Sequence, residues 1–331
     1  MDNRVICVVG PTATGKTKMG VALAKRFGGE VVSVDSMQIY RGMTIGTAAP
    51  TAEETEGIPH HMVAVADPAE SWSVARFTER ADRCIQDILC RGRRPVLVGG
   101  TGLYLDSILS GRTFAAGHSG GEVRRALQME LAQGGIEPLY RQLQAIDPTA
   151  AARLHLSDEK RILRALEVFR ETGETITEHN RKTQAVPPRY SPITAHDART
   201  RLRPPKYRAY TIGLTFRDRA DLYERIDCRV DTMVAQGLLQ EVEALLKSGL
   251  PETATALQAI GYKQFLSVYR GDTPARDAVA EVKLRSRQYA KRQLTWLRRK
   301  EDIHWILWEK TPDFPAGLQN ATEYLLAQGL G

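Results

Sequence analysis

The chain opens on an unbroken apolar run, Val5-Ile6-Cys7-Val8-Val9, and closes it with Gly10. A run without polar alternation is the pattern of a strand covered on both faces. Residues 16–27, KTKMGVALAKRF, change the period, and Met19, Val21, Leu23, Ala24 and Phe27 gather on one side of a helix. A second strand, EVVSVDS, follows at once. A third, RPVLVGG, is preceded by a helical stretch from Val74 to Leu89. Strands alternating with helices at this pace predict an α/β fold, a parallel sheet flanked by helices. Ligands on such sheets bind at the carboxyl ends of the strands, where Gly10, Asp35 and Gly99 fall.

After Gly111 the pattern changes. EVRRALQMELAQ, PLYRQLQAID and DEKRILRALEVFRETG read as successive helices between residues 122 and 173. The stretch TQAVPPRYSPITAHDARTRLRPPK is rich in proline and arginine, has little periodicity, and reads as loop or partly disordered. Strand chemistry returns with YRAYTIGLTF at 207–216, and helices dominate the remainder, one long run stopping at Gly249-Leu250-Pro251. The predicted organisation is a core of residues 1–111 and 205–331 interrupted by a helical insertion, 112–204.

Between the first strand and the first helix stands GPTATGKT, residues 10–17, with the spacing of a phosphate-binding loop. Its glycines let backbone N–H groups curl around phosphate oxygens, and the helix N-terminus adds its positive dipole end. Lys16 adds a point charge, and the Thr17 hydroxyl is placed for Mg²⁺. A nucleotide hydrolase of this type offers an apolar strand ending in Asp to hold the metal. Here the corresponding strand ends VLVGGTG, without an acid. The acid lies instead at the end of the second strand, as Asp35, which either meets the metal's waters, takes a proton, or caps a turn.

Composition narrows the partners. A net charge of +7 and a pI near 9.2 lean toward a polyanion. From Lys283 to Lys300 there are eight Lys or Arg residues and no acid, interleaved with Tyr289 and Trp296. That suits a phosphate backbone, while the aromatics also suit a helix that enters the core. No apolar run is long enough for a bilayer, and the N-terminus passes into the first strand too soon for a signal peptide. Four cysteines without a Cys-x-x-Cys pair fit a reduced cytoplasm. His60-His61 is poorly spaced for chelation and fits a structural or RNA-facing role.

Eight ordered stretches carry a resemblance: GPTATGKT, DSMQIYRGMTIGTA, GIPHHMVAVADP, SVARFTERA, VLVGGTGLYLDSIL, EKRILRALEV, QAIGYKQF and RQYAKRQLTWLRR. Together they resemble the tRNA dimethylallyltransferases, or tRNA isopentenyltransferases, from about residue 4 to 300. The resemblance implies a P-loop NTPase-like core that moves the dimethylallyl group of dimethylallyl diphosphate to N6 of an adenosine. The target lies 3′ of the anticodon (position 37) in tRNAs reading codons that begin with U. Diphosphate is then a leaving group, which accounts for the missing acid. A cytoplasmic monomer using Mg²⁺ is expected.

By the same resemblance Gly10, Pro11, Thr12, Ala13, Thr14, Gly15, Lys16 and Thr17 cradle the diphosphate, and Thr17 holds the metal. Asp35 is the general base, with Ser36, Met37 and Gln38 alongside the base of the tRNA. Thr101 contacts the target region, although a hydroxyl there also suits a helix cap. Arg219 contacts the diphosphate. Arg124, Lys160, Arg161, Ile162, Leu163 and Arg164 contact tRNA from the insertion. The core adds Gln258, Ala259, Ile260, Gly261, Tyr262 and Lys263, then Arg285, Gln288, Lys291, Arg292 and Gln293. At Gln258 the family often has Arg, so a phosphate contact there is weakened. Two other readings stay open: prenyl transfer to a free adenine nucleotide, and an RNA-binding ATPase or nucleotide kinase.

Overall fold

The computed structural model describes residues 2–111, 121–183 and 205–331. By internal contacts the chain divides into two compact units, residues 1–111 with 188–331, and residues 112–187. The expected end of the insertion, residue 204, and all but the ends of the proline-arginine stretch lie outside the described residues.

The first unit begins β1 (Arg4–Val9), α1 (Lys16–Arg26), β2 (Gly29–Val34), α2 (Ala52–Thr55), β3 (His60–His61), α3 (Val74–Cys90), β4 (Arg94–Gly99) and α4 (Gly102–Ser110). The second unit holds α5 (Glu122–Gly134), α6 (Ile136–Ile146), α7 (Pro148–Ala151), α8 (Glu159–Thr172) and α9 (Ile176–Thr183). The first unit resumes with β5 (Arg208–Phe216), α10 (Arg219–Ala235), α11 (Leu238–Lys247), α12 (Tyr262–Tyr269), α13 (Ala275–Leu297), β6 (Ile303–Trp308) and α14 (Phe314–Ala327).

Six strands form one parallel sheet in the order β3-β2-β4-β1-β5-β6. The apolar run of β1 explains its central place. Val5, Cys7 and Val9 point to one core, with Phe77, Ile85, Leu105 and Ile108 of α3 and α4. Ile6 and Val8 point to the other, with Met19 and Leu23 of α1 and Leu325 of α14. Both faces are therefore covered, as a parallel sheet requires. From β1 the chain passes to β2 on one side, and after β4 it returns on the other side of β1 as β5, so the strand order reverses there. Such a reversal opens a crevice at the carboxyl ends.

Three features depart from the sequence pattern. The long helical run after Arg219 is two helices, because Gly237 takes a left-handed φ of 101° between them. IHWILW, in a stretch read as helical, is the edge strand β6. His60 and His61 form the short edge strand β3, paired with Val31 and Val32 of β2.

In the second unit Leu127, Leu139, Leu143, Ile162, Leu163 and Leu166 form a core of their own. Ile162 and Leu163, at 0% and 4% exposure, are turned away from any RNA partner. Glu167 is buried there as well, accepting from Arg164 at 2.8 Å with Arg124 at 3.5 Å.

One buried carboxylate braces the sheet. Glu30 of β2 is 3% exposed and accepts from both terminal nitrogens of Arg91 and pairs with His61 Nε2 at 2.7 Å. The Arg91 guanidinium, above all, holds the Glu30 carboxyl down to about 2, with His61 assisting. A depressed carboxyl contributes stability above its ordinary range and loses it as pH falls through the folded value. Glu30→Gln is expected to cost about 1–3 kcal/mol near neutral pH, the lower range for a buried pair because Arg91 is 41% exposed. Thermal melts should show the gap from the parent closing between the ordinary glutamate range, near 4.5, and about 2.

Candidate active site

The register of the sheet sets the site. Val9 pairs with Gly99, and Gly99 with Val34, so the chains leaving β1, β4 and β2 emerge side by side. A Cβ at Gly10 would stand 2.3 Å from the Leu214 carbonyl oxygen of β5, so only glycine lets the loop leave there. Ala13 and Gly15 then take left-handed φ values of 67° and 83°. α1 starts without a side-chain cap, leaving its first amides for a ligand.

The loop is braced from four sides. Thr14 Oγ1 donates to the Pro11 carbonyl at 2.9 Å, and Lys16 Nζ donates to the same oxygen at 2.7 Å. Trp308 Nε1 of β6 donates to the Thr14 carbonyl at 3.0 Å. Gln293 of α13 accepts from the Thr12 amide at 3.2 Å and donates to the Gly100 carbonyl at 3.1 Å. Arg225 Nε of α10 reaches the Ala13 carbonyl at 3.4 Å.

Around this loop lies a cavity of ≈ 1140 Å³. Thr12 to Thr17 form one wall, and Asp35 to Gln38 with Thr44 to Ala49 form another. Arg225 and Arg229 of α10 and Tyr289 and Arg292 of α13 add to the polar lining, as do the acids Glu54, Asp221 and Glu224. Burial, then the neighbouring Arg229, pushes the Lys16 ammonium down to about 7, with Asp35 opposing. Burial also lowers Arg229, again opposed by Asp35. Lys16 and Arg229 both feel Asp35, and Arg229 feels Glu54 as well, yet burial still lowers both cations, so an added anion beside them would relieve the site.

Asp35 follows β2 and turns the chain, its Oδ1 accepting from the Met37 and Gln38 amides at 2.8 and 3.3 Å. Ser36 and Met37 line the cavity. Gln38 also lines it, yet its amide is spent internally, accepting from Ser33 Oγ at 2.8 Å and donating to the Thr47 and Ala48 carbonyls at 3.2 and 3.1 Å. Thr101 occupies the N-cap position of α4 without capping it. Its Oγ1 is buried and closes no hydrogen bond, although the Tyr289 phenol faces it. Burial first, then the Asp35 carboxylate, pushes that phenol up to about 12.

Several expected residues lie elsewhere. Arg219 is exposed at the start of α10, off the cavity, with its guanidinium 5.7 Å from the Tyr223 ring centroid. Arg225 and Arg229, four residues apart on that helix, enter the cavity, and the sequence reading missed both. The spacing was the available signal, since i and i+4 share a helical face. Gln258, Ala259, Ile260 and Gly261 line the cavity, but Tyr262 is fully buried behind it and Lys263 is exposed. Gln258 ties back to the Glu252 carbonyl at 3.0 Å. Gly10 and Pro11 support the loop from below the lining.

The basic run is divided in use. Lys283, Arg285, Arg287 and Lys300 pair with Asp231, Glu281, Asp227 and Asp106. Lys291, Arg292, Arg298 and Arg299 make no ion pair among the described residues. Gln288, Lys291, Arg292, Thr295, Trp296 and Arg299 line a separate groove of ≈ 460 Å³. In the second unit Lys160 and Arg161 are exposed, and Arg161 meets Asp158 at 3.3 Å. Among the described residues no cluster of three His, Cys, Asp or Glu could hold a metal, and no helix is long and apolar enough to cross a membrane.

Comparison with known proteins agrees with this architecture. Residues 38–300 match the family "IPP transferase", and residues 3–64 match "Isopentenyl transferase". A tRNA dimethylallyltransferase of Acetivibrio thermocellus is 40% identical over 100% of this chain and 99% of that protein. Another from Halalkalibacterium halodurans is 43% identical, covering 92% and 91%. The crystal structure of the full-length tRNA isopentenylpyrophosphate transferase of Bacillus halodurans superposes with a TM-score of 0.70 at 38% identity, over 99% of this chain and 97% of that one. A eukaryotic dimethylallyltransferase, captured acting on tRNA, superposes with a TM-score of 0.78 at 29% identity, over 98% and 78%. With its phosphate loop, its parallel sheet and full-length likeness of this kind, the chain belongs to the IPP transferase family.

Proposed function

We propose that this protein transfers the dimethylallyl group of dimethylallyl diphosphate to N6 of the adenosine 3′ to the anticodon of tRNA. The observation that carries the reading is one cavity holding a phosphate loop, two enclosed cations and a carboxylate on a separate strand. In the reaction N6 attacks C1, the C1–O bond breaks, and its electron pair leaves with diphosphate. The N6–H proton passes to Asp35. A carboxylate suits this, because the adenine amine becomes acidic only as the new bond forms.

Lys16, Arg229 and the free amides of the loop meet the charge that grows on the leaving diphosphate, the step's largest electrostatic demand. Arg225 and Arg229 replace Arg219 in this role. Mg²⁺ is part of the proposal. Thr17 would hold it together with diphosphate oxygens, which suits a metal that keeps its waters and needs few protein ligands. When bound, the metal neutralises part of the leaving group's charge.

The tRNA side draws on the unpaired cations Lys291, Arg292 and Arg299 with Trp296, and on Lys160 and Arg161 of the second unit. The target base must leave its stack to reach the cavity, at a cost of a few kcal/mol. The enzyme is proposed to act as a monomer. An enzyme acting on tRNA would work where tRNA matures, in the cytoplasm.

The direct test supplies purified protein, Mg²⁺, dimethylallyl diphosphate and an anticodon stem-loop with or without the target adenosine. Nucleoside mass spectrometry should show prenylation only when the adenosine is present. Prenylation of AMP instead, or solvent oxygen entering orthophosphate with the RNA unaltered, would overturn the assignment.

Asp35→Asn keeps the Oδ1 acceptor for the Met37 and Gln38 amides while losing basicity. Single-turnover rates should fall about 10²–10⁴-fold with stem-loop affinity unchanged. Arg229→Ala should lower kcat/KM for dimethylallyl diphosphate about 10²–10³-fold, whereas Arg219→Ala stays within about threefold. Because Lys16 lies near 7 in the ligand-free site, an arriving diphosphate must draw its proton back. Calorimetry in buffers of different ionisation enthalpy should show net proton uptake between pH 7 and 8 relative to Lys16→Arg, and weaker binding as pH rises.

A further inference from the structure

The wall of the cavity opposite the phosphate loop rests on a carboxylate that lies outside it. Glu241 stands on the first turn of α11. Its Oε2 accepts from the Thr44 amide at 2.8 Å, the Thr44 hydroxyl at 3.0 Å and the Ile45 amide at 2.8 Å. Its Oε1 accepts from the Gly46 amide at 3.0 Å and from the Tyr262 hydroxyl. Three successive amides of one loop thus converge on a single side chain.

The fit is close as well as polar. A Cβ at Gly46 would meet the Tyr262 ring at 2.5 Å and Leu238 at 2.8 Å, so the loop lies flush on α11 and α12. On its far side the loop gives its Thr47 and Ala48 carbonyls to the Gln38 side-chain amide, and the Gln38 backbone N–H donates to Asp35 Oδ1 at 3.3 Å. Hydrogen bonds at each end of residues 44–48, joined through that short backbone and through Gln38 itself, therefore connect Tyr262 and Glu241 to the carboxylate at 35. The phosphate loop has no part in this link.

We propose that Glu241, seated by Tyr262, is a positioning residue for prenyl transfer, fixing the 44–48 wall and through Gln38 the Asp35 turn. This rests on the reading of Asp35 as the base. It gives Tyr262 a task away from RNA: the phenol is sealed in the core, donates to Glu241, and meets the Gly46 and Thr47 backbone of the same wall. Loss of the clamp would misplace the acceptor side of the reaction and leave diphosphate binding intact. Misplacement on the ångström scale costs up to about 10²-fold in rate.

The test compares the parent, Asp35→Asn, Glu241→Gln, Tyr262→Phe and the Glu241→Gln/Tyr262→Phe double variant, with dimethylallyl diphosphate and an anticodon stem-loop. Glu241→Gln should lower kcat about 10- to 100-fold, with KM for dimethylallyl diphosphate and stem-loop affinity within about twofold. Tyr262→Phe, which keeps four of the five bonds to the carboxylate, should lose about three- to tenfold in kcat. The double variant should be no worse than Glu241→Gln, because both act through one clamp.

A rise in KM at unchanged kcat, losses that multiply in the double variant, or weakened stem-loop binding by Tyr262→Phe would each overturn the proposal. Should Glu241→Gln fail to fold, Tyr262→Phe assayed below its melting temperature decides alone, and parent-like kcat there rejects the clamp. If Asp35→Asn turns over like the parent, the base assignment is what falls. If Asp35→Asn is crippled while the clamp variants are not, only the clamp falls.

Discussion

At the carboxyl edge of β1, β2 and β4 there is room for backbone and for little else. A Cβ on Gly99 would stand 2.1 Å from the Val34 carbonyl oxygen, and one on Gly100 would stand 2.1 Å from Gln293 Nε2. Gly10 is confined in the same way against β5. These approaches bring three strand exits together tightly enough for loops from β1, β2 and β4 to share one cavity. They also fix which loop does what. The exit of β1 is bent into left-handed turns and becomes a cradle of amides, while the exit of β2 carries the carboxylate.

Gln293 connects this edge to the rest of the molecule. Its amide holds the Thr12 N–H with one end and the Gly100 carbonyl with the other. It stands on α13, the helix that carries Lys291 and Arg292, with Arg299 just past its end. The cations of that helix, Arg292 at the cavity and Lys291 in the neighbouring groove, are thereby held in register with the phosphate loop. Trp308 does the same from β6, so the last strand of the sheet also reports to the phosphate loop.

Much of this was readable from sequence because burial writes itself as uninterrupted apolarity. β1 and β4 carry continuous apolar runs, β2 and β5 are apolar but for a few buried polar residues such as Glu30 and Thr211, and the loop between β1 and α1 has the spacing of a phosphate cradle. β6 escaped because a short edge strand lacks that signature, its burial broken by half-buried and exposed positions such as Trp305 and Leu307. The site was harder, since residue type does not say which way a helix turns. Arg219 precedes Arg225 by six residues, about 240° around an ideal helix, so the two cannot share a face. Arg225 and Arg229 can, and they do. Tyr262, Ile162 and Leu163 fell inside motifs that face ligands, yet each is the packed member of its motif.

The position of the acid separates this site from one that splits phosphate. A carboxylate at the end of β4 would stand one strand from the phosphate loop, within reach of a metal on the phosphates. Gly99 and Gly100 occupy that place. Asp35 emerges from β2, one strand further out, and two strand spacings amount to about 10 Å. A group so placed lies beyond a phosphate seated on the α1 amides, level with whatever the phosphate is attached to. Yet it is near enough for Lys16 and Arg229 to feel its charge. The enclosed cations beside the phosphate loop and the carboxylate two strands away are the arrangement that the proposed transfer requires of a leaving diphosphate and a base.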